Sequence, residues 1–245
     1  MSDEPRGPHA PPREGGDGPG APPPGLPRHR RGTVPQGRRR YPDYDVLEQA
    51  DHWDEVTREV VLDRVHDVPP IRFFDARQEA TLRAFCDVVT AQDCEPRVPV
   101  LEMVDAKLHA GKLDGFQYAD MPDDRDVWRL CARGLDDVAR ARGAETFDRA
   151  GEEVQLEIVA AFHKGDLAGG IWDELPAAKA FSVLMRSVLS TLYSHPWAWN
   201  EIVFGGPAYA RGYARLGIGL REAWEGEEEF DVDPVRDVQE RGIDR

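Results

Sequence analysis

Cysteine is scarce in this chain: Cys86, Cys94 and Cys131 are the three present among 245 residues. Their odd number and the lack of any Cys-x-x-Cys pair exclude a zinc ribbon, a dithiol redox pair, covalent haem attachment and a four-thiolate iron–sulfur site. Cys86 and Cys131 fall on apolar faces of predicted helices, where a free thiol behaves as a small hydrophobe. A reducing, cytoplasmic setting is therefore expected. No run of 18 apolar residues occurs, so no membrane-spanning helix is expected. The Arg-rich stretch 28–40 is followed by the polar 41–50 (YPDYDVLEQA) and not by the apolar core of an export signal, and no signal peptide is read. The nearest approach to a dinucleotide loop, Gly217-Ile218-Gly219-Leu220-Arg221-Glu222, lacks the third small residue and follows no predicted strand. No GxSxG elbow, HExxH helix or P-loop is present. No catalytic, cofactor-binding or metal residue is assigned on these grounds.

Basic residues are also in deficit, with 31 Lys and Arg against 46 Asp and Glu and a net charge of −15. That balance argues against nucleic acid, whose sites need clustered cations to displace counterions. The charge is unevenly placed. Residues 1–43 hold 11 of the 20 prolines, 8 of the 23 glycines, and 8 Arg against 5 acids. They read as a disordered Pro/Gly/Arg-rich arm. Residues 226–245 carry 8 acids against 3 Arg and read as an acidic tail. Between them, residues 44–225 are long enough for one buried core.

That middle region reads as all-α, an irregular single helical domain. From Asp54, Thr57, Val60, Val61 and Val65 recur at helical spacing up to Val68-Pro69-Pro70. Residues 71–74 read as an extended connector offering Phe73 and Phe74 to a groove. Asp75 with Gln78 three residues on suggests a capping box before the stripe Leu82, Phe85, Cys86 and Val89. Pro99 opens a short helix that Gly111 stops. Asp123 begins a longer one ending at Gly143, and Glu152–His163 another ending at Gly165. Pro176 starts the most apolar helix, with Phe181, Leu184, Met185, Val188, Leu189 and Leu192. The acids Asp120, Asp123, Asp124 and Asp126 lack the Gly and terminal Glu of a calcium loop and suit a helix N-terminus.

One segment differs from the rest. Residues 193–213, YSHPWAWNEIVFGGPAYARGY, contain six aromatics, and only Glu201 and Arg211 are charged. Pro196 permits a short helical turn that Gly205-Gly206-Pro207 must end, so an aromatic, Gly/Pro-rich C-terminal loop is expected. It either folds back to cap the core or presents a contact surface, since Tyr, Trp and Arg concentrate at interface centres. His195 and Glu201 are the one pair in it able to move a proton or share a metal, although a six-residue spacing suits one helix face poorly.

The motif HPWAWNEI.FGGPAY.RGY resembles the C-terminal signature of the gluconate 2-dehydrogenase subunit 3 family, in the branch without an export signal. The likeness extends upstream through residues 115–122 (GFQYADMP), the Leu135/Ala139 helix, the Gln155 helix and the apolar run at 181–193. Two positions depart from it: Val203 stands where Gly is usual, and Ala210 where Pro precedes Arg-Gly-Tyr. The resemblance implies a small helical, non-catalytic subunit that stabilises or assembles a large FAD-dependent oxidoreductase of the glucose–methanol–choline type, acting on sugars, sugar acids or alcohols. FAD would then reside in the partner. Some such systems add a cytochrome c subunit, which nothing in this sequence indicates. The partner interface implied by the motif comprises Tyr193, His195, Pro196, Trp197, Trp199, Asn200, Glu201, Phe204, Gly205, Gly206, Pro207, Tyr209, Arg211, Gly212 and Tyr213. Two other readings stand beside it. One is a free-standing helical assembly protein for another enzyme, and the other is an enzyme using His195 and Glu201.

Overall fold

The computed structural model describes residues 45–92, 97–112, 117–202 and 204–207, and every regular element among them is helical. After a 3-10 helix Val46–His52 come α1 (Glu55–His66), α2 (Ala76–Thr90), α3 (Val100–His109), α4 (Asp124–Ala141), α5 (Glu152–Lys164), α6 (Ala177–Leu192) and α7 (Pro196–Ile202). Short 3-10 helices Phe147–Arg149 and Gly170–Asp173 flank α5.

The helix starts follow their caps. Asp54, Asp75 and Asp123 each accept a backbone N–H from the first turn, and Asp75 with Gln78 forms the full capping box. Gly165 ends α5 in the left-handed region, at φ 79°. The acidic run serves these helix contacts: Asp123 caps α4, Asp124 faces Arg186, Asp120 pairs with Lys179, and Asp126 lies in the first turn of α4.

Helices α2–α6 pack on one another around a single core. Phe162 is its hub, with ring centroids 5.0 Å from Trp172, 5.2 Å from Phe181 and 6.0 Å from Phe85. Cys86 and Cys131 are buried free thiols in this core, and burial pushes both well above the ordinary thiol range. The connector before α2 is non-helical, with a bend at Phe73 and Phe74. Phe74 is buried against Trp128, at 5.9 Å, and Phe73 lies half-buried under the Arg129 guanidinium, 3.9 Å from its ring centre. The connector is held by Asp105, a buried carboxylate on α3 that accepts the N–H groups of Arg72, Phe73 and Phe74 at 2.8–3.0 Å.

α1 departs from the sequence expectation. Of Thr57, Val60, Val61 and Val65, only Val61 is buried, while Val60 is 49% exposed. The helix does not lie on the main core. It and the preceding 3-10 helix pack on α7 and build a second, small core of Val46, Ala50, Trp53, Val61 and Trp199. Leu189 departs too: it belongs to the expected α6 stripe but is 40% exposed.

Candidate interaction site

The C-terminal end of α6 and all of α7 form the site. α6 stops at Leu192, the chain turns through Tyr193 and Ser194, and Pro196 opens α7 at the position where its missing N–H costs nothing. Residues 196–202 are therefore helical, whereas the sequence suggested a loop with at most one turn. Gly205-Gly206-Pro207 follows as the expected stop.

His195 precedes Pro196 and caps the new helix. Its Nδ1 accepts the Trp197 N–H at 3.2 Å, so Nε2 carries the proton and donates to the Arg64 carbonyl at 2.9 Å. The ring is fully buried, and burial, with Arg64 nearby, holds the imidazole at about 4, below its ordinary 6.5. Both nitrogens are thus occupied by backbone in the neutral state. That geometry suits a structural lock and leaves no free base for proton transfer. Glu201 falls in α7 by its backbone.

Four further locks join the same two regions. Asn200 is buried, its Oδ1 accepting the Val46 N–H at 2.7 Å and its Nδ2 donating to Asp45 at 3.1 Å. Trp199 is buried in the small core, donates Nε1–H to the Tyr193 carbonyl at 2.6 Å, and meets Phe204 edge-on at 5.5 Å. Gly206 adopts φ +75°, and a Cβ there would stand 2.9 Å from Trp53 and 3.1 Å from Val46. Only glycine lets the chain pass the indole at that distance. Finally, Arg64 Nη1 donates to the Ser194 carbonyl at 2.5 Å, with its guanidinium 6.0 Å from the Trp199 ring centre.

The motif residues thus divide. His195, Pro196, Trp199, Asn200 and Gly206 are buried within the chain, and Trp197 is half-buried against the main core. Tyr193 and Phe204 face outward, at 41% and 38% exposure. Gly205 and Pro207 are half-buried. Tyr209, Arg211, Gly212 and Tyr213 lie outside the described residues, as do the arm 1–43, Cys94, the glycine-rich 217–222 segment and the tail 226–245. The sequence left the segment either folded back on the core or facing a partner, and the motif placed Trp197 and Trp199 in the partner interface; Trp199 fills the pocket made by Trp53 and Val61. Sequence reasoning also passed over Asp45, Val46, Trp53 and Arg64. A lone Trp53 in an otherwise polar stretch was the available signal.

Fold and site together define an all-helical domain closed at one end by a clasp, residues 45–66, gripping α7. Over residues 76–206, more than half of its length, the chain matches the family described as Gluconate 2-dehydrogenase subunit 3, and it belongs to that family. No curated protein and no solved structure matches it. The family is that of a subunit, which implies a partner protein. The match opens at Ala76, the first residue of α2, so the clasp and connector lie outside it, while the clasp's target, residues 193–206, lies inside. Among the described residues, no helix is long and apolar enough to cross a membrane.

Proposed function

We propose that this chain is the small, non-catalytic subunit of an FAD-dependent, gluconate 2-dehydrogenase-like oxidoreductase of sugars or alcohols, and that it stabilises or assembles the large flavoprotein subunit in the cytoplasm. The observation that carries the reading is the outward face of the motif region. Leu189, Tyr193, Ile202 and Phe204 are large apolar side chains left 38–48% exposed within 16 residues of sequence, in a chain that is 31% charged. Clustered exposed apolar side chains mark partner surfaces. Family membership supplies the kind of partner, and the backbone-locked His195 supports a binding role over chemistry in this chain. FAD belongs to the partner in this reading.

Co-expression of the tagged chain with a flavoprotein subunit encoded beside it tests the proposal. A stoichiometric complex with flavin absorbance is expected, weakened by Phe204→Asp and Tyr193→Asp without loss of helicity in the free subunit. A well-folded chain that purifies colourless and alone from that co-expression would sink the reading.

A further inference from the structure

Resting on that reading, the structure assigns half of the docking surface to α1, outside the family match, and gives it a charge requirement. Val56, Val60 and Arg64 follow one another at four-residue spacing and so share one ridge of α1. Val56 is 68% and Val60 49% exposed. Leu189 and Tyr193, also four apart, form a second exposed ridge at the end of α6. The hydrogen bond from Arg64 to Ser194 brings the two ridges together.

Arg64 is the charged member of the two ridges and, like Arg129 over Phe73, is a half-buried guanidinium set beside an aromatic ring. Among the described residues its polar contact is a neutral carbonyl, with the Trp199 ring beside it and no carboxylate. Arg77, Arg83, Arg97 and Arg186 each face a carboxylate, as expected in a chain with 15 excess acids. Desolvation draws the Arg64 guanidinium below its ordinary range. The carbonyl end of α6 offers only about half a negative charge, and most of the five guanidinium N–H donors remain for another acceptor. A planar cation fixed against an indole, with donors to spare and apolar ridges on either side, fits a carboxylate carried among apolar side chains. We infer that the flavoprotein subunit inserts an amphipathic segment here, its apolar side chains between the two ridges and one Asp or Glu on Arg64.

The test uses the co-expressed pair and the full chain, with affinity measured by calorimetry across a salt series. Val60→Asp should weaken association at least about tenfold while leaving the melting temperature unchanged, because Val60 is half-exposed. Arg64→Gln should weaken it comparably and flatten its salt dependence, and Arg64→Lys should restore part of both. Leu156→Asp, on the exposed face of α5, should bind like the parent. If the parent forms the complex and Val60→Asp and Arg64→Gln bind equally well with the same salt slope, the inference fails and the subunit reading stands. If the parent forms no complex, both fail. A Val60-dependent homodimer formed in place of the complex would assign the ridges to a second copy and overturn the inference.

Discussion

The imidazole of His195 and the backbone carbonyl of Arg64 meet at 2.9 Å across 131 residues of sequence, and the proton between them belongs to the ring because Trp197 N–H occupies the other nitrogen. Protonating Nδ1 would break that second bond and charge a buried ring. The folded-state value near 4 lies below the ordinary 6.5, so the unfolded chain binds more protons between the two. Stability should therefore fall as pH drops from 6.5 toward 4, by about 2–3 kcal/mol between pH 7 and 4.5. Urea denaturation at the two pH values checks this. His195→Gln, which keeps a donor toward Arg64 but does not titrate, should lack that share of the loss.

Trp199 and Phe204 touch edge-on yet should answer differently to truncation. Trp199→Ala empties the small core and should cost about 3–5 kcal/mol locally, loosening the clasp before the bundle. Amide exchange should show early opening of residues 45–66 with α2–α6 still protected. Phe204→Ala should leave exchange nearly unchanged and act on association. Equal protection losses in the two variants would contradict the inward and outward assignments.

Gly206→Ala should be destabilising by about 2 kcal/mol, since it combines an unfavourable positive φ with an approach of 2.9 Å to Trp53. The shift should appear in Trp fluorescence, because the displaced neighbour is an indole.

Gly134 sits inside α4, where alanine would ordinarily gain about 1 kcal/mol of helix propensity. Its built Cβ, however, falls 2.4 Å from Ile171 Cδ1 and 2.6 Å from Trp172 Cζ2. Ile171 can swing, but Trp172 is a rigid ring buried against Phe162. Packing wins, and Gly134→Ala should lower stability by about 1–2 kcal/mol net, read as a lower melting temperature.

Asp105→Asn replaces one of two acceptor oxygens with a donor facing three converging amides. A loss of about 2–4 kcal/mol is expected, measured by chemical denaturation. Asp105→Glu should not rescue it, because the longer stem displaces the oxygens in a fully buried site.

Helix starts were legible because their signals are local: Asp75 needs only Gln78, and Pro196 needs only its own ring, to declare a beginning. The bundle core was legible for a similar reason, since Leu82, Phe85, Leu184 and Val188 repeat at helical spacing. The clasp was not. Residues 45–53 look polar, and the contacts that order them are single long-range events, Val46 with Asn200 and Trp53 with Gly206. α1 misled for the complementary reason. Its valines repeat correctly, but only Val61 has a neighbour to bury it, because periodicity reports a face and not what covers it. The aromatic segment stood out by composition, which could not say that Trp199 turns inward and Phe204 outward.

The clasp also imposes an order of events on synthesis. Val46 and Asn200 are 154 residues apart, so at about 5–20 residues per second the clasp leaves the ribosome roughly 8–30 s before its binding site exists. During that interval Trp53 and Val61 have no place to go. The nascent chain must carry an apolar, unsatisfied leading end until α7 emerges, and a ribosome stalled anywhere between α2 and α6 exposes it. Chaperone capture should accordingly be strongest on stalled chains ending before residue 196 and should fall away once residue 206 has cleared the exit tunnel.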